Sequence, residues 1–164
     1  MIEPQPLGTA GAIRFARREL RSDPVLTVNG DSFVSADICA FVDYHRAAGA
    51  LGSIVCTELD DTGRYGHVQL DHHGHIDRFI EKDASFHEPA LVSAGLYLLS
   101  ANLLDDITAG TATSLEHDVF ERLPPGSLAA FTGRFAFIDI GTPESLSLAG
   151  HFFNTVQSRD RQRI

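Results

Sequence analysis

Apolar positions along the first third of the chain follow two periodicities, which predict alternating helices and buried strands. Helical spacing runs from residue 9 to about residue 21. Short apolar runs at residues 25–29 and 51–56 are typical of buried strands in a parallel sheet. Between these runs, Asp37 is the expected N-cap of a second helix and Gly49 its expected end. This order predicts a right-handed βαβ unit.

The rest of the chain predicts a β-hairpin, two further strands and two helices. In chain order these are a hairpin of residues 66–70 and 76–81, a strand at 91–99, a helix at 114–123, a strand at 135–140 and a helix at 142–157. The polar residues 158–164 are expected to fray. Because strands and helices alternate, we expect one α/β domain over residues 1–157 with a mostly parallel sheet.

Composition narrows the function classes. The 164 residues carry 22 acidic and 13 Lys or Arg side chains, a net charge of −9, and no basic run stands out, which argues against a nucleic-acid partner. No run of 18 apolar residues predicts a membrane span, and no secretory signal is recognisable at the start. Cys39 and Cys56 lie in apolar segments and are expected to be buried free thiols of a cytoplasmic protein.

Two aspartates lie at the carboxyl ends of predicted strands. Asp31 comes directly after residues 25–29, and Asp139 lies near the end of the strand at 135–140. Ligands of α/β sheets bind at the carboxyl ends of strands, and two carboxylates there suit one Mg²⁺ whose shell is completed by phosphate oxygens. The alternatives are an Asx-turn or helix cap for Asp31 and backbone N–H donors for Asp139.

Two other groups carry candidate chemistry. Gly8 and Thr9 open a helix, where small residues allow an anion or a base to approach the backbone, although a plain loop-to-helix turn has the same sequence. Glu81 and Lys82 end the hairpin, where a carboxylate can accept sugar hydroxyls and a lysine can bind phosphate. The alternative for this pair is a solvated strand end.

Taken in order, these segments resemble the sugar-phosphate nucleotidyltransferase family. The resemblance rests on LGTAGA at 7–12, VNGDS at 28–32, RYG at 64–66, EK at 81–82, SAGLY at 93–97 and FIDIGTP at 137–143. The segment SLEHDVF at 114–120 is similar to the heptose-1-phosphate and mannose-1-phosphate guanylyltransferase branch. The match extends from residue 3 to about residue 153, and the fixed order of short motifs makes it specific.

The resemblance implies a Rossmann-like fold and a reaction. A sugar 1-phosphate oxygen attacks the α-phosphorus of a nucleoside triphosphate, giving a nucleotide-sugar and pyrophosphate. By likeness, catalysis rests on three residues: Asp31 and Asp139 hold Mg²⁺, and Lys82 binds the sugar phosphate. Glu81 and the Gly66 backbone bind the sugar, and Ser93 stands where the family usually has an amide. The nucleotide lies near Gly8 and Thr9, and the Glu3 carboxylate, which only accepts hydrogen bonds, favours the donor edge of guanine and hence GTP.

The family also has a glycine-rich loop with an arginine, and later a lysine, that grip the triphosphate ahead of the first motif matched here. We therefore expect this chain to correspond to the part of the family's fold that follows this loop and this lysine. The strand at 25–29 would then have an open edge through which the chain self-associates, and the chain alone would be inactive. Two alternatives are a non-catalytic sugar-phosphate-binding or regulatory module and a glycosyltransferase-like domain, which would need a second acid close to Asp31.

Overall fold

The fold alternates helices and strands, as expected of an α/β domain. The computed structural model describes residues 2–80, 83, 85, 87–111 and 113–161. Its elements are α1 (Gly8–Ala16), β1 (Val25–Val28), β2 (Ser32–Val34), α2 (Ile38–Ala48), β3 (Gly52–Leu59), β4 (His67–Leu70), β5 (Ile76–Ile80), β6 (Ala90–Leu99), α3 (Ala101–Ala109), a 3₁₀ turn (Phe120–Arg122), β7 (Leu128–Gly133), β8 (Phe137–Asp139) and α4 (Pro143–Arg161).

The central sheet has the order β5-β4-β6-β3-β7, and β1 pairs with β6 as well. Strands β1, β3, β4 and β7 run in one direction, as the predicted mostly parallel sheet requires, whereas β5 and β6 run in the opposite direction. Among the described strands of this sheet, β3 and β7 are the neighbours that form a parallel ladder. Strand β6 lies between β1 and β3 and runs the opposite way, so the ladders on both of its sides are antiparallel. The predicted βαβ unit is therefore split, because β1 and β3 are parallel but not neighbours.

A second, two-stranded sheet pairs β2 with β8. The strand predicted at residues 135–140 is therefore shorter than expected and lies outside the central sheet. Helix α4 packs on this small sheet through Phe33, whose ring centroid lies 5.9 Å from that of Phe152 and 5.1 Å from that of Phe153. The small sheet and α4 together place the end of β8 beside the end of β1.

Local signals fixed several boundaries correctly. The Asp37 side chain accepts a hydrogen bond from the Ala40 amide at 3.0 Å, and Gly49 ends α2 with φ +63°. The hairpin β4–β5 also lies where it was predicted. Helix α4 continues to Arg161, four residues beyond the predicted end of the helix.

Three expectations were wrong. Helix α1 ends at Ala16, because the amides of Glu19 and Leu20 bond carbonyls three residues back and tighten the chain into turns. Residues 114–123 form turns and a short 3₁₀ segment instead of the predicted helix. The amides of Phe120 and Glu121 bond carbonyls five residues back and those that follow bond carbonyls three residues back, so the α-helical ladder is not continued. Cys39 is exposed on α2, whereas Cys56 is fully buried in β3.

The core lies on both faces of the central sheet. Helices α1 and α3 cover one face, where Leu103, Leu104 and Ile107 are almost completely buried. Helix α2 covers the other face, with Phe41 packed near β3 and β6. None of the helices in the described residues combines the length and apolar character that crossing a bilayer requires.

Strand β1 forms one edge of the sheet. Within the described ranges, β6 is the strand with which it pairs, and Leu26 and Val28 are 42% and 58% exposed. An apolar strand with an open edge is a surface on which another strand can pair.

Candidate active site

The fold brings Asp31 and Asp139 to one place. Strand pairing sets Ser32 opposite Asp139, and the Ile140 amide donates to the Asp31 carbonyl at 2.8 Å. A Cβ on Gly141 would lie 3.2 Å from Oδ1 of Asp139 and 3.8 Å from Oδ2 of Asp31, so both carboxylates border the same small space. A side chain at position 141 would fill that space, which gives a physical reason for glycine there.

The oxygen donors at this place fit a hard divalent cation such as Mg²⁺, which prefers carboxylates together with phosphate or water oxygens. Oδ1 of Asp139 also accepts the Gly141 amide at 3.0 Å, which fixes its orientation. Within the described residues, no group of three or more His, Cys, Asp or Glu side chains forms a complete ligand set. A cation held here by the two carboxylates would take its other ligands from substrate and solvent oxygens.

A cleft of about 240 Å³, named here the β6 cleft, opens next to Asp139. Its walls come from β4, β5, β6 and the segment that precedes the 3₁₀ turn. Three residues predicted from the sequence line it, Gly66, Ser93 and Asp139. The other polar lining residues are Asn29, Ser32, Tyr65, His67, Tyr97, Glu116, His117 and Glu121.

A hydrogen-bonded network forms the floor of the β6 cleft. The buried Tyr97 hydroxyl donates to Oε1 of Glu116 at 3.0 Å and lies 3.4 Å from the Ser93 hydroxyl. The Asn29 side chain lines the same cleft beside Tyr97. Burial, reinforced by the Glu116 carboxylate, raises the pKa of Tyr97, so the hydroxyl remains a donor at neutral pH.

Gly95 leaves space for the Asn29 side chain next to this network. The backbone amide of Asn29 donates to the Gly95 carbonyl at 2.8 Å, and Gly95 has φ +71°. A Cβ at this position would lie 2.8 Å from Nδ2 of Asn29, closer than real Cβ contacts allow. The glycine within β6 therefore makes room for an amide that comes from the end of β1.

A second cavity, named here the β1 groove, has a volume of about 480 Å³. It runs between α1 and the exposed end of β1, and Thr9, Val28 and Asp31 are among its lining residues. Asn29 lines both cavities. The pair of aspartates therefore lies where the β6 cleft and the β1 groove meet.

The structure also gives Gly8 and Thr9 a local role. Gly8 has φ +73°, and a Cβ on it would collide with the Thr113 carbonyl oxygen. The Thr9 hydroxyl accepts the Leu115 amide at 2.8 Å, and the Ala10 amide donates to the Thr113 carbonyl at 2.9 Å. The start of α1 is thus bound to the segment at 113–118.

The remaining predicted site residues are Glu3, Glu81 and Lys82. Glu3 is exposed and lines neither the β6 cleft nor the β1 groove. Glu81 and Lys82 lie outside the described residues; Ile80, which precedes them, lines the β6 cleft.

Sequence reasoning missed Asn29, Tyr97 and Glu116 as members of the site. All three lie inside motifs that carried the resemblance, at 28–32, 93–97 and 114–120. A polar side chain within each motif was the available signal. The motifs are far apart in sequence, and only the fold shows that Tyr97 bonds Glu116 and that Asn29 lines the same cleft.

The Nucleotidyl transferase family model matches residues 1–155. A mannose-1-phosphate guanyltransferase from Kluyveromyces lactis is 32% identical over 169 residues, covering 99% of this chain and 46% of the relative. The corresponding protein of Candida albicans is 34% identical over 148 residues, covering 87% of this chain and 40% of the relative. The chain therefore spans less than half the length of these curated relatives.

A solved structure has a similar fold. HddC from Yersinia pseudotuberculosis, complexed with GMP-PN, superposes with a TM-score of 0.81 and 30% identity, covering 93% of this chain and 65% of HddC. The two aspartates and the two adjoining cavities lie in the region that the family model covers. This chain belongs to the nucleotidyl transferase family.

Proposed function

We propose that this chain supplies the sugar-binding and metal-binding part of an enzyme that transfers GMP from GTP to a sugar 1-phosphate. The single observation that carries the proposal is the meeting of Asp31 and Asp139 where the β6 cleft and the β1 groove join. Each cavity could then hold one of the two substrates next to the aspartates. The curated relatives are mannose-1-phosphate guanyltransferases, so mannose 1-phosphate is the sugar phosphate to test.

In this reaction an oxygen of the sugar phosphate forms a bond to the α-phosphorus of GTP, and the bond to the leaving pyrophosphate breaks. No covalent protein intermediate is required, so the protein acts by positioning the reactants and stabilising charge. The β6 cleft binds the sugar, with Gly66, Ser93 and Glu81 as its predicted contacts. The β1 groove binds the nucleotide, with Gly8 and Thr9 at its helical end.

Charge explains why a cation and a lysine are needed. Glu116, Glu121 and Asp139 line the β6 cleft, so its described wall is acidic and repels a sugar phosphate. Asp31 and Asp139 would hold Mg²⁺, which neutralises phosphate charge and stabilises the charge that develops during transfer. Lys82 would bind the sugar phosphate directly. The acidic wall is then left to accept hydrogen bonds from sugar hydroxyls.

Binding is the first test, because it does not require every catalytic residue. Titration of the chain with GDP-mannose, which occupies both cavities, should show binding that depends on Mg²⁺. Asp31→Asn and Asp139→Asn should each weaken it about tenfold or more, equivalent to about 1.4 kcal/mol. The control is Asp43→Asn, an exposed carboxylate on α2 that pairs with Arg46 at 3.6 Å. Absence of binding, or equal binding by all variants, would contradict the proposal.

Turnover is the second test. Pyrophosphate release from GTP and mannose 1-phosphate should be measured for the chain alone and with the N-terminal segment of the Kluyveromyces lactis relative added. The resemblance assigns the residues that grip the triphosphate to that segment, so we expect release only from the mixture. Turnover by the 164-residue chain alone would show that other residues replace them.

Base preference is the third test. Glu3 offers only acceptors, and guanine presents adjacent N–H donors where thymine presents at most one. GMP should therefore bind more tightly than dTMP, and Glu3→Gln should reduce the difference. Equal affinities that do not change in Glu3→Gln would refute the assignment of Glu3. A cytoplasmic location fits this proposed role in nucleotide-sugar synthesis and the two free cysteines.

A further inference from the structure

Residues 113–118 border both cavities. Leu115 lines the β1 groove, whereas Glu116 and His117 line the β6 cleft. Three consecutive residues thus contribute to the two places where, under the proposed function, nucleotide and sugar phosphate bind. A shift of this short segment would change the walls of both cavities at once.

The Asp118 carboxylate organises the segment. Its Oδ2 atom accepts hydrogen bonds from the Thr113 amide at 2.8 Å, the Thr113 hydroxyl at 3.0 Å and the Ser114 amide at 2.9 Å. The Asp118 amide donates to the Ser114 carbonyl at 3.1 Å, which closes the turn. These donors lower the pKa of Asp118 to about 2, which shows that they favour the charged carboxylate.

The two cavities are attached to this segment at different points. On the groove side, the Thr9 hydroxyl accepts the Leu115 amide at 2.8 Å, and the Thr113 carbonyl receives the Ala10 amide at 2.9 Å. On the cleft side, the Tyr97 hydroxyl binds Glu116 at 3.0 Å. The start of α1 and the floor of the β6 cleft are therefore connected through a segment that one carboxylate holds in shape.

We propose that Asp118 is a positioning residue for both substrates, holding residues 113–118 so that Thr9 and Glu116 keep their places in the two cavities. This inference rests on the proposed function. Asp118 itself lines neither cavity, so it acts through the residues that it orders. The competing explanation is that Asp118 only stabilises a surface turn, in which case its loss lowers stability and leaves ligand affinity unchanged.

The experiment measures dissociation constants of the 164-residue chain for GMP and for mannose 1-phosphate separately, by ligand-observed NMR in Mg²⁺ at a temperature where every variant is folded. Asp118→Ala should weaken both ligands about tenfold, because both cavity walls lose their support. Asp118→Asn keeps an oxygen that can accept the same three donors and should recover most of this loss. The contact that it loses, with Arg122 at 3.5 Å, is exposed and contributes little.

A second variant breaks the hydrogen bond that joins residues 113–118 to the start of α1. Thr9→Val removes the acceptor of the Leu115 amide while keeping the side-chain volume, and Thr9 does not line the β6 cleft. Weaker binding of mannose 1-phosphate by Thr9→Val would therefore show that the segment transmits the change from the groove to the cleft. Asp43→Asn, on α2, serves as the control and should leave both dissociation constants unchanged.

The outcomes separate the two proposals. If the wild-type chain binds both ligands and Asp118→Ala binds them equally well, the positioning role is wrong and the proposed function stands. If Asp118→Ala weakens only one ligand, the proposed link between the cavities is wrong. If the wild-type chain binds neither ligand, the proposed function fails, and the inference that rests on it fails as well.

Discussion

Replacing Gly95 with alanine tests the packing beneath the β6 cleft. Gly95 has φ +71°, a conformation that costs an L residue about 1–2 kcal/mol. The new Cβ would also lie 2.8 Å from Nδ2 and 3.0 Å from Cβ of Asn29, so the amide has to move. Displacing this half-buried side chain adds about 1 kcal/mol, at the lower end of what overpacking costs. Together these effects should lower the free energy of unfolding by about 2–3 kcal/mol.

Urea denaturation followed by circular dichroism measures this change. The matched control is Gly150→Ala, because Gly150 is exposed in α4 and a Cβ there would meet no atom within 4 Å. Alanine is the better helix former, so the control should be stabilised by up to about 1 kcal/mol. A loss below about 1 kcal/mol in Gly95→Ala would refute the reasoning, because the backbone conformation alone should cost that much.

Three further predictions follow from which side chains are buried and which are exposed. Burial lowers the pKa of His45, whose ring bonds the Ser53 hydroxyl. The stability that neutral His45 contributes is therefore present above about pH 6.5 and is lost as the pH falls, because the unfolded chain takes up a proton first. His45→Asn should flatten this pH dependence of the free energy of unfolding in denaturation curves. Val28→Lys should reduce self-association in sedimentation velocity by placing a charge on the open edge of β1. Cys39 should react with a thiol reagent in the native state, whereas Cys56, whose pKa burial raises to about 12, should react only after unfolding.

Each of these has a clear contrary result. A slope between pH 5 and 7 that persists in His45→Asn would assign it to another group. A wild-type chain that sediments as a sharp monomer would show that the β1 edge does not recruit a second copy. Rapid reaction of both cysteines under native conditions would contradict the burial of Cys56.

The amino-acid sequence determined the features that depend on near neighbours. Asp37 and Gly49 mark the ends of α2 because a cap needs only an acceptor near the first amides or a residue that tolerates positive φ. The hairpin was predicted from alternation around a turn. Helix α3 was missed although Leu103, Leu104 and Ile107 have helical spacing, so its signal was present and not used.

Tertiary structure decided the features that depend on distant partners. The direction of β6 between β1 and β3 follows from backbone hydrogen bonds across the sheet, and apolar runs do not specify them. Residues 114–123 have a plausible helical pattern, but the Leu115 amide is bound to the distant Thr9 hydroxyl. The Phe120 and Glu121 amides bond carbonyls five residues back, which interrupts the helical ladder. Local propensity is weak compared with several such bonds.

The candidate active site also has features that the sequence indicated and features that only the fold decided. Their positions at the carboxyl ends of two predicted strands indicated that Asp31 and Asp139 act together. Their meeting beside Gly141 required the pairing of β2 with β8, a sheet formed by segments about a hundred residues apart. The sequence therefore determined which residue types carry the chemistry, while the contacts among Asn29, Tyr97 and Glu116 were decided only by the fold, because side chains from separate elements become neighbours only when the sheet has closed around them.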